Sequence, residues 1–367
     1  MTSTNSTVQP PRSAEPVVEV TGGVDTHKDT HTAAAVDSAG RVLGSAQFTA
    51  DGAGYAALLN WLRGFGRLVL VGIEGTGVYG HGLARFLQDR QVPLVEVDRP
   101  DRKARRFQGK SDPVDAEAAA RAALAQVRTG VPKQRDGQVE ALRALRVARR
   151  SAVSHRADLQ RRLKALVVTA PDGLRQVLRE LPTRQLIEVC ASARPDRTKA
   201  HNPTVATKVA LRSLARRHQQ LTEEITDLDA LIAPLVATIN PALLELTGVG
   251  PDVAGQLLVT AGQNSDRLRS EAAFAMLCGA APLPASSGRT NRHRLNRGGD
   301  RDANSALWRI VITRLGTDQR TRDYAARRTA QGLSKPEIIR CLKRYVAREV
   351  FAVLQPANLT GDLAQAA

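Results

Sequence analysis

Residues 17–49, VVEVTGGVDTHKDTHTAAAVDSAGRVLGSAQFT, and residues 67–74, RLVLVGIE, decide the fold. The first stretch breaks into three strand-like runs separated by turn residues. Val17–Asp25 reads as one strand and Thr30–Asp37 as a second. After the Ala39-Gly40 turn, Arg41–Thr49 reads as a third. RLVLVGIE is a nearly continuous apolar run closed by a carboxylate, the pattern of a buried strand. Working outward, Gly54–Arg63 and Val78–Arg90 read as helices, Val92–Val97 as a strand, and another helix starts near Asp112. Three meandering strands followed by alternating helices and strands predict a mixed α/β layer fold over residues 17–130.

Strand patterns then stop. Leu142, Leu145, Ala152, Leu159, Leu163 and Leu166 keep a 3-4 spacing, with Arg149 and Arg156 at two seam positions. Leu211, Leu214, Leu221, Ile225, Leu228, Ile232 and Leu235 repeat it, with His218 in the seam. Residues 131–240 are therefore expected to form a helical, coiled-coil-like segment of two long helices. They could pair with each other or with a second subunit. Arg194–Pro203 is expected to loop between them. Residues 241–355 read as a compact, mainly α C-terminal domain. Residues 1–16 and 356–367 read as polar tails, and the first lacks the apolar segment of a signal peptide.

The charge points to the partner. The chain of 367 residues carries 53 Lys and Arg against 36 Asp and Glu, a formal +17, with a pI near 10.7. Such a surplus fits nucleic acid. No run approaches the ~20 apolar residues that span a bilayer, so no membrane partner is expected. Cys190, Cys278 and Cys341 make neither a metal pattern nor a disulfide framework, which suits a reducing cytoplasm. Aromatics are 3% of the chain, so base stacking is not expected to dominate binding.

Four acids stand where a metal site could form. Asp25 closes the first strand and Glu74 a later one. If both strands are central in one sheet, the two carboxylates emerge at the same edge. Asp112 and Asp115 are three apart and share one helix face. Carboxylates from separate elements can hold two Mg²⁺ ions for phosphodiester cleavage. The bland alternative for the pair is capping: Asp112 as N-cap, Pro113 at the first helical position, Asp115 favouring the helix dipole. His27 and His31 are four apart, but no third nitrogen or sulfur ligand lies nearby, so a zinc site is not expected. Asp29 and Asp37 read as loop or solvent-facing acids.

In the C-terminal region, LTGVGPDVAGQLL puts Gly248 and Gly250 in a short turn between helical segments. The pattern is like a helix-hairpin-helix, whose backbone N–H groups approach phosphates, and equally like an ordinary turn between packed helices. Further on, SSGRTNRHRLNRGGDR holds Ser286, Ser287 and Gly288, followed by Arg289, Arg292, Arg294, Arg297 and Arg301. Arginine forks with glycine-exposed amides suit phosphate oxygens.

GVDTHKDTHTAAAVDSAGRV, VGIEGTGVYGHGLARFL and GKSDPVDAEAAARAAL resemble, in order, the three motifs of the DEDD transposases of insertion sequences, the Piv/MooV-like group of family one-ten. The resemblance implies an RNase H-like, RuvC-like domain with Asp25, Glu74, Asp112 and Asp115 as its acids and Mg²⁺ as its ion, in a two-metal type of site. It also implies a C-terminal transposase domain whose serine nucleophile falls on Ser287, with Ser286 as the alternative. Where the family usually has a Ser/Thr-Lys-x-Gly-Asn-like segment, this chain has Leu295 to Asp300, which leaves Asn296 and Asp300 without an assigned role. Double-stranded DNA, a guide (bridge) RNA and a homo-oligomer from dimer to tetramer are the implied partners, in the bacterial cytoplasm at the nucleoid. Ser287 would form a 5′-phosphoserine link. Two alternatives remain: a RuvC-like junction nuclease that uses water, and a non-catalytic DNA-binding protein, which leaves the ordered acids unexplained.

Overall fold

A computed structural model describes residues 18–97, 111–127, 129–286 and 293–355. The chain divides into two compact units, residues 1–133 and 134–367.

The first unit is built on a six-stranded sheet. Its elements are β1 (Glu19–Thr26), β2 (Thr30–Val36), β3 (Val42–Thr49), α1 (Gly52–Arg63), β4 (Arg67–Glu74), α2 (His81–Asp89), β5 (Leu94–Val97), α3 (Asp112–Leu124) and β6 (Thr129–Gly130). The sheet order is β3-β2-β1-β4-β5-β6. β1, β2 and β3 form an antiparallel meander. β4 then joins β1 in parallel on the other side, and β5 is parallel to β4. Asp37 closes the β2–β3 turn by accepting from the backbone N–H groups of Ala39 and Arg41, both at 2.9 Å. It is a buried turn acid.

Two layers of helix cover the sheet. Val20, Val24, Ala33, Val71 and Ile73 pack with Leu58, Leu62, Leu83 and Leu87 of α1 and α2 into one apolar core. α3 covers the opposite face with Ala116, Ala119, Ala120 and Ala123, all buried. The expected helix from Val78 begins only at His81, because residues 75–80 turn about Gly75, which has a left-handed φ of 75°.

Among its described residues the second unit is helical apart from one short antiparallel pair of strands. α4 (Gly137–Val168) and α7 (Pro203–Ile239) are the two expected long helices. They pair with each other, antiparallel: Leu142 shares a cluster with Ile232 and Val236, whereas Leu163 and Val167 share another with Leu211 and Ala215. The seam position Arg149 meets Asp229 across the pair. Two short helices, α5 (Asp172–Leu178) and α6 (Thr183–Ser192), lie between them, each entered through a proline. Seven and ten residues are too few to show a periodicity in sequence. The expected loop Arg194–Pro203 holds one 3₁₀ turn, Arg197–Lys199.

The chain continues through α8 (Ala242–Glu245), α9 (Pro251–Ala261), α10 (Glu271–Leu277), β7 (Leu283–Pro284), β8 (His293–Arg294), α11 (Arg301–Thr317), α12 (Gln319–Ala330) and α13 (Lys335–Leu354). Phe274, Leu257, Leu307, Ile310 and Val350 centre its core, which the base of the long hairpin completes through Leu142 and Val236. Among the described residues no helix is long and apolar enough to cross a membrane.

Candidate metal centre

Strand alternation sets the face each acid serves. In β1, Gly22 lies against Leu62 of α1, whereas Gly23 lies against Ala116 and Ala120 of α3. Asp25 is two residues beyond Gly23 and shares the α3 face. In β4, Gly72 lies against Ala119 and Ala123, which puts Glu74 on that face too. β1 and β4 run parallel with Val24 opposite Ile73, so Asp25 and Glu74 end neighbouring strands at one edge. The Thr26 hydroxyl donates to the Glu74 carbonyl oxygen at 2.8 Å and ties the two ends together.

Small residues bring the remaining acids in. A β-carbon at Gly23 would overlap the Ala116 carbonyl oxygen and the Ala120 nitrogen. One at Gly72 would come within 2.7 Å of the Ala123 methyl. Two facing glycines thus let an alanine helix lie directly on the strand backbones. The N-terminus of α3 carries Asp112 and, one turn on, Asp115.

Asp112 does not cap this helix. The N-cap is Ser111, with extended φ −148° and ψ 150°, and Asp112 is already the first helical residue. Its carboxylate faces His27 instead, with Oδ1 3.2 Å from Nε2. The same Nε2 is 3.5 Å from Asp25 Oδ2. His27 sits in the β1–β2 turn, where its backbone N–H donates to the Thr30 carbonyl oxygen at 3.0 Å. Asp25, His27 and Asp112 each offer a ligand atom, all within 4.8 Å of one another.

The two histidines have separate fates. His31 pairs with Thr26 across β1 and β2, so it takes the α1 face. It is fully buried and stacks on Tyr55 at 5.6 Å between ring centres. Burial lowers its pKa, and Nε2 has no hydrogen-bond partner. It is a core residue. His27 is the site residue that sequence spacing misses. Its one signal is its place two residues past Asp25, at the end of a strand.

The electrostatics favour a cation. Burial raises the pKa of Asp25; His27 opposes this, and the neighbouring carboxylates of Asp115 and Asp112 push it up again. Asp25 is only 7% exposed, so its carboxylate is costly when ionised without a counter-charge. Carboxylate oxygens suit hard divalent cations such as Mg²⁺ or Mn²⁺, and an imidazole beside them extends the choice to softer ones such as Zn²⁺.

In the second unit, Gly248 takes a left-handed φ of 81° between α8 and α9. Gly250 is the N-cap of α9, and a β-carbon there would meet nothing within 4 Å. Arg294 and Arg297 are exposed around and just after β8, and Arg301 is exposed at the start of α11. Ser287, Arg289 and Arg292 lie outside the described residues. Asn296 and Asp300 have structural partners. The buried Asn296 amide accepts from Gly298 N at 3.0 Å and donates to Met276 Sδ at 3.2 Å. Asp300 caps α11 through the N–H groups of Asp302 and Ala303 and accepts from the Thr260 hydroxyl at 2.6 Å.

Two family models match the chain, and both describe transposases. Residues 22–170, which hold all four acids, match the DEDD transposase model of IS110 type. Residues 240–326, which hold Ser286 and Ser287, match the model for transposases of the IS116/IS110/IS902 family. The chain belongs to the IS110 family of transposases. It is similar to an insertion element IS110 uncharacterized 43.6 kDa protein of Streptomyces coelicolor, with 28% identity over 176 residues. That match covers 47% of this chain and 43% of the relative, less than half the length of either.

Proposed function

We propose that the chain is an insertion-sequence transposase that cuts and rejoins DNA at a divalent-metal site formed by Asp25, Glu74, Asp112 and Asp115, with His27 as a fifth member. The observation that carries this reading is the meeting of Asp25 and Asp112 on His27 at the edge where β1 and β4 end. The strand order, a meander extended in parallel by β4 and β5, supports the RNase H-like reading of this unit. Divalent ions held there would activate the attacking oxygen and stabilise the leaving one. The acids bind the ions. Asp115 and Asp112 also hold the Asp25 carboxyl in need of one.

Ser287 is the proposed nucleophile. Its Oγ would bond to phosphorus, the P–O3′ bond would break, and the freed 3′-oxygen would take up a proton. The 5′-phosphoserine ester retains the bond energy, so the strand can be rejoined without ATP. Arg294, Arg297 and Arg301 would hold flanking phosphates, and the turn at Gly248 and Gly250 would approach duplex backbone. A guide RNA that chooses the DNA partners and a dimer-to-tetramer assembly belong to the same proposal, and the charge of +17 supports a polyanionic partner.

A covalent trap tests it. The protein is incubated with DNA from the element's ends, its flanking transcript and Mg²⁺ or Mn²⁺, then denatured. The expected product is a protein–DNA adduct, absent after chelation, absent in Ser287→Ala and retained in Ser286→Ala. The reverse serine pattern moves the nucleophile one residue. Cleavage without an adduct instead supports a hydrolytic nuclease.

A further inference from the structure

The second unit contains a cavity of about 990 Å³ between the β7–β8 hairpin, α12 and α13. Arg294, Arg327, Arg328, Arg340, Lys343 and Arg344 line it. Glu337 is the one acid on its wall among the described residues, reaching Arg340 at 3.9 Å, and Glu271 holds Arg344 at 2.8 Å. The remaining cations have no carboxylate partner among the described residues.

Lys343 makes the surplus specific. Its side chain is buried, and Nζ donates to Asn304 Oδ1 at 2.9 Å. Asn304 cannot turn away, because its amide nitrogen donates to the carbonyls of Cys278 and Gly279 at 2.9 and 3.0 Å. Among the described residues the ammonium is thus anchored on one neutral acceptor, and the charge that bears on it is another cation, Arg340. An ammonium has three donors, and a buried charge with so little compensation is costly unless an anion completes its shell.

The cavity also has aromatic walls. Tyr324 and Tyr345, two of the four tyrosines of the chain, meet edge to face at 5.5 Å. Tyr345 is 49% exposed. Arg327 and Arg328 lie over the Tyr324 ring at 5.4 and 6.0 Å. Aromatics are scarce overall, but here they are concentrated among cations. A duplex offers phosphates and no accessible base face. A strand with an unpaired nucleotide offers both.

We propose that this cavity receives an unpaired nucleotide of a nucleic-acid strand, with the base against Tyr345 and the adjoining phosphates on Lys343, Arg327 and Arg294. The proposal rests on the nucleic-acid reading above but needs neither metal nor cleavage, so its test fails or succeeds independently of the covalent trap.

Fluorescence anisotropy of the full chain in EDTA would compare labelled oligothymidylate, oligouridylate and a blunt duplex. Tyr345→Ala is expected to weaken single-strand binding about tenfold and to leave the duplex unchanged. Lys343→Met should weaken it too, reduce the salt slope by about 0.7 and leave the melting temperature undiminished. The deoxy and ribo arms show which strand the cavity prefers. Unchanged strand binding in both variants overturns the proposal. So does equal loss on the duplex, which marks a general phosphate surface, or displacement by polyglutamate as effective as by oligouridylate, which marks an acidic peptide. If Lys343→Met melts early, Tyr345→Ala, on a half-exposed ring, decides alone.

Discussion

Asp25 and Asp252 are both acids withdrawn from solvent among charged neighbours, and their pKa values move in opposite directions. Burial would raise Asp252, but Arg146 at 2.8 Å, with Arg149 at 3.1 Å and Arg309 at 2.5 Å, brings it below the ordinary value. Asp25 has one imidazole at 3.5 Å and two carboxylates nearby, and it goes up. Asp252 is completed by the protein: it ties α9 to α4 and α11, while Arg149 carries the network on to Asp229 of α7. Among the described residues, Asp25 is left with a negative surplus. A dense charge cluster is therefore not in itself a functional site; the sign of the charge left over separates a clasp from a binding place.

The largest effect that would break this contrast is on activity. Asp25→Asn keeps the volume and removes the charge. DNA cleavage in Mg²⁺ or Mn²⁺ is expected to fall by about 10³-fold or more, the scale of losing one preorganised electrostatic group. The melting temperature in EDTA should hold or rise, and the stabilisation of the wild type by added Mn²⁺ should vanish. Cleavage undiminished in this variant would sink the acidic edge as the metal site.

The sequence shows this contrast only in part. The strands were legible because turn residues cut the chain into short strand-like runs, and β4 has the bounds its apolar run predicts. The order of the four acids was legible, and the proposed site rests on it. The glycines were not, because what Gly23 and Gly72 accommodate is an alanine helix that follows them far along the chain, at Ala116 to Ala123. His27 was hidden for a related reason. A four-residue spacing pairs it with His31, yet the β1–β2 turn gives the two residues different surroundings. The capping role expected of Asp112 failed by one residue, because Ser111 has the extended backbone. The arginines around Asp252 were invisible as a network, since Arg146 and Asp252 are 106 positions apart. In sequence, Arg149 shows only as a misfit in an apolar seam.

The next effect is on stability and belongs to the clasp. Asp252→Ala removes the shared partner of Arg146 and Arg149, whose side chains are only 12% and 18% exposed. The expected cost is about 3–5 kcal/mol, the range for stripping one partner from a largely buried ion pair. It should be read as a lower urea midpoint with the Mn²⁺ response of the first unit intact. A cost below about 1 kcal/mol would reclassify the cluster as a solvated surface network.

The smallest effect is the most direct comparison, because it reads the two acids by the sign of their pH dependence. Asp25 has a folded pKa above the ordinary 3.8, so between that value and its raised one the folded chain binds more protons than the unfolded chain. Its contribution to stability therefore falls as pH rises through that window. Asp252 has a folded pKa below 3.8; its contribution is complete above that value and is lost as pH falls through the depressed one. Urea unfolding of the wild type minus each Asn variant, in EDTA from pH 3 to 7, should give difference curves of opposite slope. A divalent ion binds only the ionised Asp25. Adding Mn²⁺ should then flatten or invert the Asp25 curve and leave the Asp252 curve where it was. Two curves of the same sign would mean that Asp25, like Asp252, already has its counter-charge within the fold, and that the metal must be sought elsewhere.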